Sequence, residues 1–279
     1  MDLSDLHDGE PQLVDVMHLG NPRVIGAWRV GDVLIDPGPS SSVATLLPGL
    51  DAEPPRVIAL THIHLDHAGA AGTLAQRYPQ AEVWVHERGA PHLIDPAKLL
   101  ASAGRLYGEH MDRLWGEFLA VPAERIRVLR GGERLSSFRV AYTPGHASHH
   151  VSYLHETSGI AFTGDVAGVR IGSGPVIAPT PPPDIDLEAW RSSLQVIEAW
   201  RPRRLAVTHF GAHDDVATQL AALREHLGEV EAWAAEGDLE KFVAQMRARV
   251  AGDAAYAHAL PPEQSYQGLA RYLSKRAAA

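Results

Sequence analysis

Four short apolar segments of this chain are each followed by a histidine or an aspartate. The segments read RVIALT, FRVAYTPG, GIAFTG and RLAVT, and their Val, Ile, Leu and Phe content is typical of buried β-strands. The residues that follow them are His62, His146, Asp165 and His209. A rigid sheet can direct the side chains at its strand ends towards one point. The sequence therefore predicts a fold in which these strands are neighbours and the four side chains converge.

The stretch THIHLDHAG adds three more polar side chains at the first of these strand ends: His64, Asp66 and His67. Strand alternation lets His62 and His64 face the same side, while the other two lie where the chain turns into a predicted helix. Imidazole and carboxylate ligands without sulfur suit Zn²⁺, and also Fe or Mn. Seven candidate ligands exceed what one zinc ion takes together with a water. Two divalent metal ions are therefore predicted, with Asp165 as the carboxylate between them.

The order of the predicted elements indicates one α/β domain over the whole chain, residues 1–279. Short strands dominate its first part, and residues 30–36 are predicted as one of them. Residues 91–120 are predicted as a helical insertion, 172–184 as a Pro/Gly loop, and 214–279 as a helical tail. No segment has the composition of a flexible linker, so layers of helix and sheet around shared strands are expected.

The amino-acid composition limits which partners and which cellular compartment we expect for this protein. The 279 residues include 25 basic and 34 acidic side chains, which gives a formal net charge of −9, and no cysteine. Nucleic acid is a disfavoured partner because phosphate binding requires a basic surface. The absence of cysteine excludes disulfides and thiolate ligands, and it is compatible with a reducing cytosol. No apolar run approaches the roughly 20 residues of a membrane span, and the stretch MDLSDLHDGE does not resemble a signal peptide. We expect a cytoplasmic protein with a small-molecule substrate and no membrane partner, and a homodimer is one assembly that the sequence leaves open.

The motif set H-x-H-x-D-H, T-P-G-H, T-G-D and T-H resembles that of the metallo-β-lactamase fold superfamily, over roughly residues 13–213. The resemblance implies an α/β fold, an αββα sandwich, with the site at one edge of its two sheets. It also implies which residues hold each metal. The first metal would be held by His62, His64 and His146, and the second by Asp66, His67 and His209. Asp165 would bridge the two metals.

Three further residues are candidates for roles around the metals. The resemblance implies that Asp36, in the DPG turn, supports the ligands from behind, where such a residue orients imidazoles and tunes their basicity. Tyr107, in the helical insertion, is a candidate oxyanion donor or carbonyl partner. His213 follows His209 closely and is a candidate pocket residue.

Two metal ions that share one water predict hydrolysis. Each ion favours the hydroxide form of the water and brings its pKa down towards ~7, and the hydroxide then attacks an electrophilic carbon or phosphorus. Asp66 is predicted to be catalytic, because it can carry a proton from the nucleophile to the leaving group. Asp165 disfavours a dedicated β-lactamase, since the resemblance implies that such enzymes generally lack the bridging aspartate.

The predicted reaction is cleavage of a carboxylic ester, lactone or thioester, in a branch similar to glyoxalase II and the lactonases. The helical tail resembles that of glyoxalase II enzymes. The insertion and the 172–184 loop are predicted to shape an apolar pocket, which favours a lipophilic lactone or ester over a glutathione conjugate. Three alternatives stay open: an iron-dependent thiol or persulfide oxidoreductase, a hydrolase of β-lactams or phosphodiesters, and a non-catalytic binding protein on the same fold.

Overall fold

The computed structural model describes residues 6–251 and 253–278. In these ranges twelve strands form two six-stranded sheets, and strands that are neighbours in each sheet are also consecutive in the chain. The first sheet consists of β1 (Gln12–Asp15), β2 (Gly26–Val30), β3 (Val33–Ile35), β4 (Val57–Ala59), β5 (Glu82–His86) and β6 (Ile126–Leu129). The second consists of β7 (Arg134–Leu135), β8 (Phe138–Tyr142), β9 (Val151–His155), β10 (Ile160–Gly164), β11 (Arg204–Val207) and β12 (Gly211–His213).

Helices flank the two sheets. Those before the second sheet are α1 (Val43–Ala52), α2 (Leu65–Ala68), α3 (Ala71–Arg77), α4 (Ala90–Ile94), α5 (Ala97–Tyr107) and α6 (Met111–Trp115). Those after β10 are α7 (Leu187–Ala199), α8 (Val216–Ala235), α9 (Leu239–Arg249), α10 (Ala254–Ala259) and α11 (Pro262–Ala277). The predicted αββα sandwich and helical tail are confirmed. No helix in the two described ranges is both long enough and apolar enough to cross a bilayer.

Strand direction brings the predicted strand ends to one edge of the sandwich. β10 pairs in parallel with β11, while β9 is antiparallel to both β8 and β10. The carboxyl ends of β8, β10 and β11 therefore share an edge. The Val151 N–H, at the start of β9, donates to the Thr61 carbonyl at 2.7 Å, which joins that edge to the segment after β4 in the other sheet.

An aromatic core between the sheets fixes their relative position. It contains Trp28, Trp84, Phe138, Tyr153 and Phe162, all nearly or fully buried. Trp28 meets Phe162 edge-on at 5.6 Å, and Trp84 meets Phe138 edge-on at 6.4 Å. Edge-on aromatic pairs stabilise a core beyond their area burial. The rigid packing of the two sheets is what allows strand ends from both of them to hold one site.

Two predicted elements differ in detail from the structure. Residues 30–36 were expected to form one strand, but β2 ends at Val30, the chain turns, and β3 begins at Val33. Gly31 has φ 52, a conformation that glycine adopts without steric cost, and this permits the turn. The insertion was expected to be a helical pair and instead holds three α-helices between β5 and β6.

Candidate metal centre

The seven predicted ligands lie just beyond strand ends. His62 follows β4, Asp165 directly follows β10, and His209 follows β11. His146 lies in the turn after β8, and the remaining three open the helix α2 at its amino-terminal end. All except His64 and Asp66 are buried. The apolar strands fix the backbone at these points, so the geometry of the site is set by the two sheets.

One group of three imidazoles forms the first half of the site. The ring nitrogens of His62, His64 and His146 lie within 4.8 Å of one another. His64 Nδ1 is 2.9 Å from His62 Nε2 and 3.0 Å from His146 Nε2. Burial lowers the pKa of all three rings, that of His64 to about 3, so they are neutral at neutral pH. Three neutral nitrogens directed at one point form a suitable ligand set for a divalent cation.

A second group contains Asp66, His67 and His209, again with ligand atoms within 4.8 Å. His209 Nε2 is 3.3 Å from Asp66 Oδ2, and His67 Nε2 is 3.7 Å from the same oxygen. Burial lowers the pKa of His67, but Asp165 and Asp66 raise it more, so the net pKa lies well above the ordinary value. Burial also opposes the charge on His209, and the same two carboxylates raise its pKa. These carboxylates therefore favour positive charge at the place where a second cation would bind.

Asp165 lies between the two groups, with one oxygen towards each. Its Oδ1 is 3.4 Å from His67 Nε2 and 3.6 Å from His209 Nε2. Its Oδ2 is 3.3 Å from His146 Nε2. This is the placement expected of a carboxylate that bridges two ions.

Unpaired buried atoms show that the residues fit a bound cation. His67 Nε2, His209 Nε2 and Asp165 Oδ1 are buried and have no hydrogen-bond partner within the described ranges. Leaving a buried polar atom unpaired costs about 1–3 kcal/mol. Coordination to metal would satisfy all three atoms, and an imidazole and carboxylate set without sulfur suits Zn, Fe or Mn.

The opposite nitrogens of three ligand rings are held by acceptors behind the site. His67 Nδ1 is 2.9 Å from Asp36 Oδ2, His146 Nδ1 is 2.8 Å from the Pro179 carbonyl, and His209 Nδ1 faces the Val24 carbonyl. A ring that donates its Nδ1–H to such an acceptor keeps Nε2 free for a cation.

Asp36 accepts hydrogen bonds from three separate segments. Besides His67, its carboxylate accepts from the Thr61 N–H at 2.8 Å, the Thr61 hydroxyl at 2.7 Å and the Thr208 hydroxyl at 3.1 Å. It therefore ties together the ends of β4 and β11 as well as one ligand ring. These contacts support the role behind the ligands that the resemblance implies for Asp36.

A cavity of about 290 Å³ opens onto His64, Asp66, Asp165 and His209. The insertion supplies one wall: Leu99, Ser102, Ala103, Leu106, Tyr107, His110, Leu114 and Trp115. Prolines 179 and 181–183 supply a second wall, and residues 258–261 with 264 and 265 of the tail supply a third. The sequence predicted that the insertion and the loop shape the pocket and left open whether the tail contacts substrate; the structure places the tail in the cavity wall.

The other two candidate residues have different positions. Tyr107 lines the cavity, its ring lies edge-on to Trp115 at 5.1 Å, and burial with the nearby Asp66 charge raises its pKa. His213 lies in β12 opposite Leu205 and does not line this cavity. Its ring Nε2 is buried without a hydrogen-bond partner among the described residues.

The family comparison agrees with this fold and site. The model of the metallo-beta-lactamase superfamily matches residues 31–209. The chain therefore belongs to the metallo-beta-lactamase superfamily, as its motifs predicted. Membership supports a metal-dependent hydrolase as the general class.

Individual relatives extend the comparison. The metallo-beta-lactamase fold-containing protein ST1585 of Sulfurisphaera tokodaii is 33% identical over 188 residues, which is 64% of this chain and 68% of that protein. The crystal structure of ST1585 aligns with a TM-score of 0.65 over 80% of this chain and 86% of that chain. A hydroxyacylglutathione hydrolase of Synechococcus sp. is 27% identical over 205 residues, 69% of this chain and 70% of that protein. The structure of TTHA1623 in a di-iron-bound form is 26% identical, with a TM-score of 0.54 over 80% of this chain and 97% of that chain.

Proposed function

We propose that this protein is a metal-dependent hydrolase of uncharged carboxylic esters, lactones or thioesters and that it uses two divalent metal ions, most favourably zinc. The observation that carries the proposal is the position of the seven predicted ligands: two groups of three, with Asp165 between them, open onto a largely apolar cavity. The ligand roles and the number of ions are predictions that this arrangement supports.

Two bound metal ions would supply a water of lowered pKa and would polarise the substrate carbonyl. The chain itself would then position the reacting groups and move the proton. Asp66 is suited to proton transfer because its side chain keeps 21% exposure towards the cavity, whereas that of Asp165 keeps 5%. Asp66 is therefore the carboxylate that a leaving group can reach, and Asp165 is the one that holds the two halves together.

The cavity walls support an uncharged, lipophilic substrate. Among the described residues that line the cavity there is no lysine or arginine, and leucine, proline and aromatic side chains dominate. Negative charge that lies away from the metal ions, such as the distal carboxylates of a glutathione conjugate, would meet no lysine or arginine among these lining residues. Thioesters stay within the proposed substrate class because a relative of this chain is a hydroxyacylglutathione hydrolase.

Iron is the second candidate for the metal, with an oxidoreductase as the corresponding function. The di-iron-bound form of TTHA1623 is the observation that favours iron as the metal. Bound iron, with oxygen consumption in the presence of a thiol or persulfide, would support this alternative. Two zinc ions without oxygen chemistry would rule it out.

A small molecule is the proposed partner, because the site lies in a cavity of about 290 Å³ and the net charge of −9 disfavours polyanions. The absence of a membrane partner, the cytoplasmic location and assembly as a homodimer stay predictions from the sequence.

The test is a hydrolysis screen of lactones, thioesters, phosphodiesters and a chromogenic lactam, with metal content measured on the same sample. We expect turnover of lactones or esters, loss of turnover in chelator, and recovery with Zn²⁺, Mn²⁺ or Co²⁺. Asp66→Asn should lower kcat by at least about a hundredfold, the usual contribution of a positioned proton carrier. Full turnover by metal-free protein would contradict the proposal.

A further inference from the structure

The loop between β1 and β2 holds a buried histidine between two strained residues. Met17 and Leu19 both have φ 52, a left-handed conformation that is costly for a side chain of this size. Their side chains are 41% and 38% exposed, so their own packing does not offset the strain. His18 between them is only 3% exposed. The strained backbone therefore serves to place His18, and strain of this kind concentrates at functional sites.

Two segments distant in the chain contact the His18 ring, and its own turn fixes its backbone. It stacks on Trp115 of the insertion, with the ring centroids 5.5 Å apart and the planes inclined by 12°. Its Nδ1 is 3.4 Å from the Ser42 hydroxyl. The His18 carbonyl accepts from the Asn21 N–H at 2.9 Å, which closes the turn. The orientation of the ring is thus set by contacts that are distant in the chain.

The position of the ring leaves one nitrogen for a ligand. His18 lines the cavity together with Asp66 and His209. Ser42 lies beside Nδ1, and the described part of the chain offers no hydrogen-bond partner to Nε2. Burial lowers the pKa of His18 more than the negative charge of Asp66 raises it. The ring is therefore neutral at neutral pH. A neutral imidazole nitrogen suits an uncharged hydrogen-bonding group.

We propose that His18 determines substrate specificity: its Nε2 hydrogen-bonds a carbonyl or hydroxyl oxygen of the substrate, on the side of the cavity next to Asp66 and His209. The inference rests on the proposed function and deepens it. It narrows the substrate to an uncharged ester, lactone or thioester with an apolar chain and a neutral oxygen within reach of this ring. Trp115 acts as the positioning residue beneath it.

His18→Phe tests the proposal, because phenylalanine keeps an aromatic ring on Trp115 and removes Nε2. With γ-decalactone as the substrate we expect kcat/KM to fall by about tenfold, mainly through KM, which is the loss of one neutral hydrogen bond. Metal content and Tm should stay at the wild-type values.

The matched control is His86→Phe. His86 is also buried, at 2% exposure, and also stacks on an aromatic ring, that of Tyr142 at 4.3 Å, but it lies outside the cavity. This variant should leave kcat/KM unchanged. If His18→Phe lowers Tm and metal content and leaves kcat/KM per folded molecule unchanged, His18 is structural and the proposal is overturned.

Binding of the corresponding γ-lactam, measured by calorimetry, separates this inference from the proposed function. His18→Phe should bind it about tenfold more weakly than wild type, and His18→Gln, which retains an N–H near the position of Nε2, should bind it better than His18→Phe. If wild type fails to hydrolyse the lactone but this order of binding holds, the proposed hydrolase function fails and the His18 assignment stands. Equal lactam binding by wild type and His18→Phe, no binding by either, or the reverse order of the two variants overturns the assignment.

Discussion

At the scale of single residues, the seven candidate ligands were predicted from their residue types and from their positions shortly after apolar strands. Periodicity along a strand decides which side a residue faces, and it is visible in the sequence. His18 was not predictable in this way. It has no neighbouring ligand types, and its position depends on contacts with Ser42 and Trp115, which no local pattern encodes.

Asp36→Asn tests the support behind the metal ligands. The carboxylate accepts four hydrogen bonds, and an amide presents N–H groups to some of the same donors. Asparagine tolerates the left-handed backbone at this position, where φ is 48, so the change acts through the side chain. We expect metal affinity to fall by about 10–100-fold, measured by competition with a chelator.

Asp51→Asn is the matched control for this substitution. Asp51 pairs with Arg77 on the surface, with side-chain exposures of 43% and 47%, and has no contact with the site. Metal affinity should not change in this variant. An equal loss of affinity in both variants would contradict the role assigned to Asp36.

At the scale of elements, the turn that carries His146 depends on the helix packed against it. A Cβ on Gly145 would lie 2.3 Å from the Cα and Cβ of Trp190 in α7, and the φ of Gly145 is 139. The Trp190 ring in turn lies edge-on to His146 at 5.6 Å. The helix begins at Leu187, because the Asp186 side chain accepts from two N–H groups of its first turn. Close packing of α7 therefore explains why the T-P-G-H motif has a glycine at position 145.

Gly145→Ala should displace the turn and the His146 ring. We expect the free energy of unfolding to fall by about 2–3 kcal/mol, from overpacking and backbone strain together. Metal content should fall with it. Denaturant unfolding and metal analysis of the purified protein measure the two effects.

Gly228→Ala is the control at the same scale. Gly228 lies inside α8, and a Cβ there would have no neighbour within 4 Å among the described residues beyond the adjacent turns of its own helix. Alanine should stabilise this helix by about 0.5–1 kcal/mol and leave metal content unchanged. Similar stabilities for the two variants would show that close packing at Gly145 is unimportant.

At the scale of the whole molecule, the helical tail completes the cavity by packing on the proline loop. Gly268 of α11 lies so close to the Thr180 carbonyl that a Cβ would be 2.0 Å from it. His226 of α8 accepts a hydrogen bond from the Ala178 N–H at 2.9 Å. The wall formed by the tail therefore depends on contacts between segments far apart in the chain.

His226 predicts how this packing responds to acid. Burial lowers the pKa of its ring from the ordinary 6.5 to about 3, with a further contribution from Arg249. Between these values the unfolded chain binds a proton that the folded protein does not, so stability falls as the pH falls below about 6.5. The contribution lost by pH 5 is about 2 kcal/mol.

The measurement is the free energy of unfolding of wild type and His226→Asn at several pH values. Asparagine keeps an acceptor near the Ala178 N–H and does not titrate. Wild type should lose about 2 kcal/mol more than the variant between about pH 7 and 5. Parallel pH profiles would show that the ring is not held neutral in the folded protein.

The sequence by itself predicted the candidate ligands and, through the resemblance of its motifs, the superfamily and the layered fold, because motifs and strand patterns lie within short segments. Asp36 followed from the resemblance, and the structure supplies its physical reason as the acceptor for two strand ends and one ligand ring. The tertiary structure alone decided the shape of the cavity, the contribution of the tail and the position of His18. Those features arise where side chains from distant segments meet, and such contacts depend on three-dimensional packing, which leaves no period or spacing in the chain.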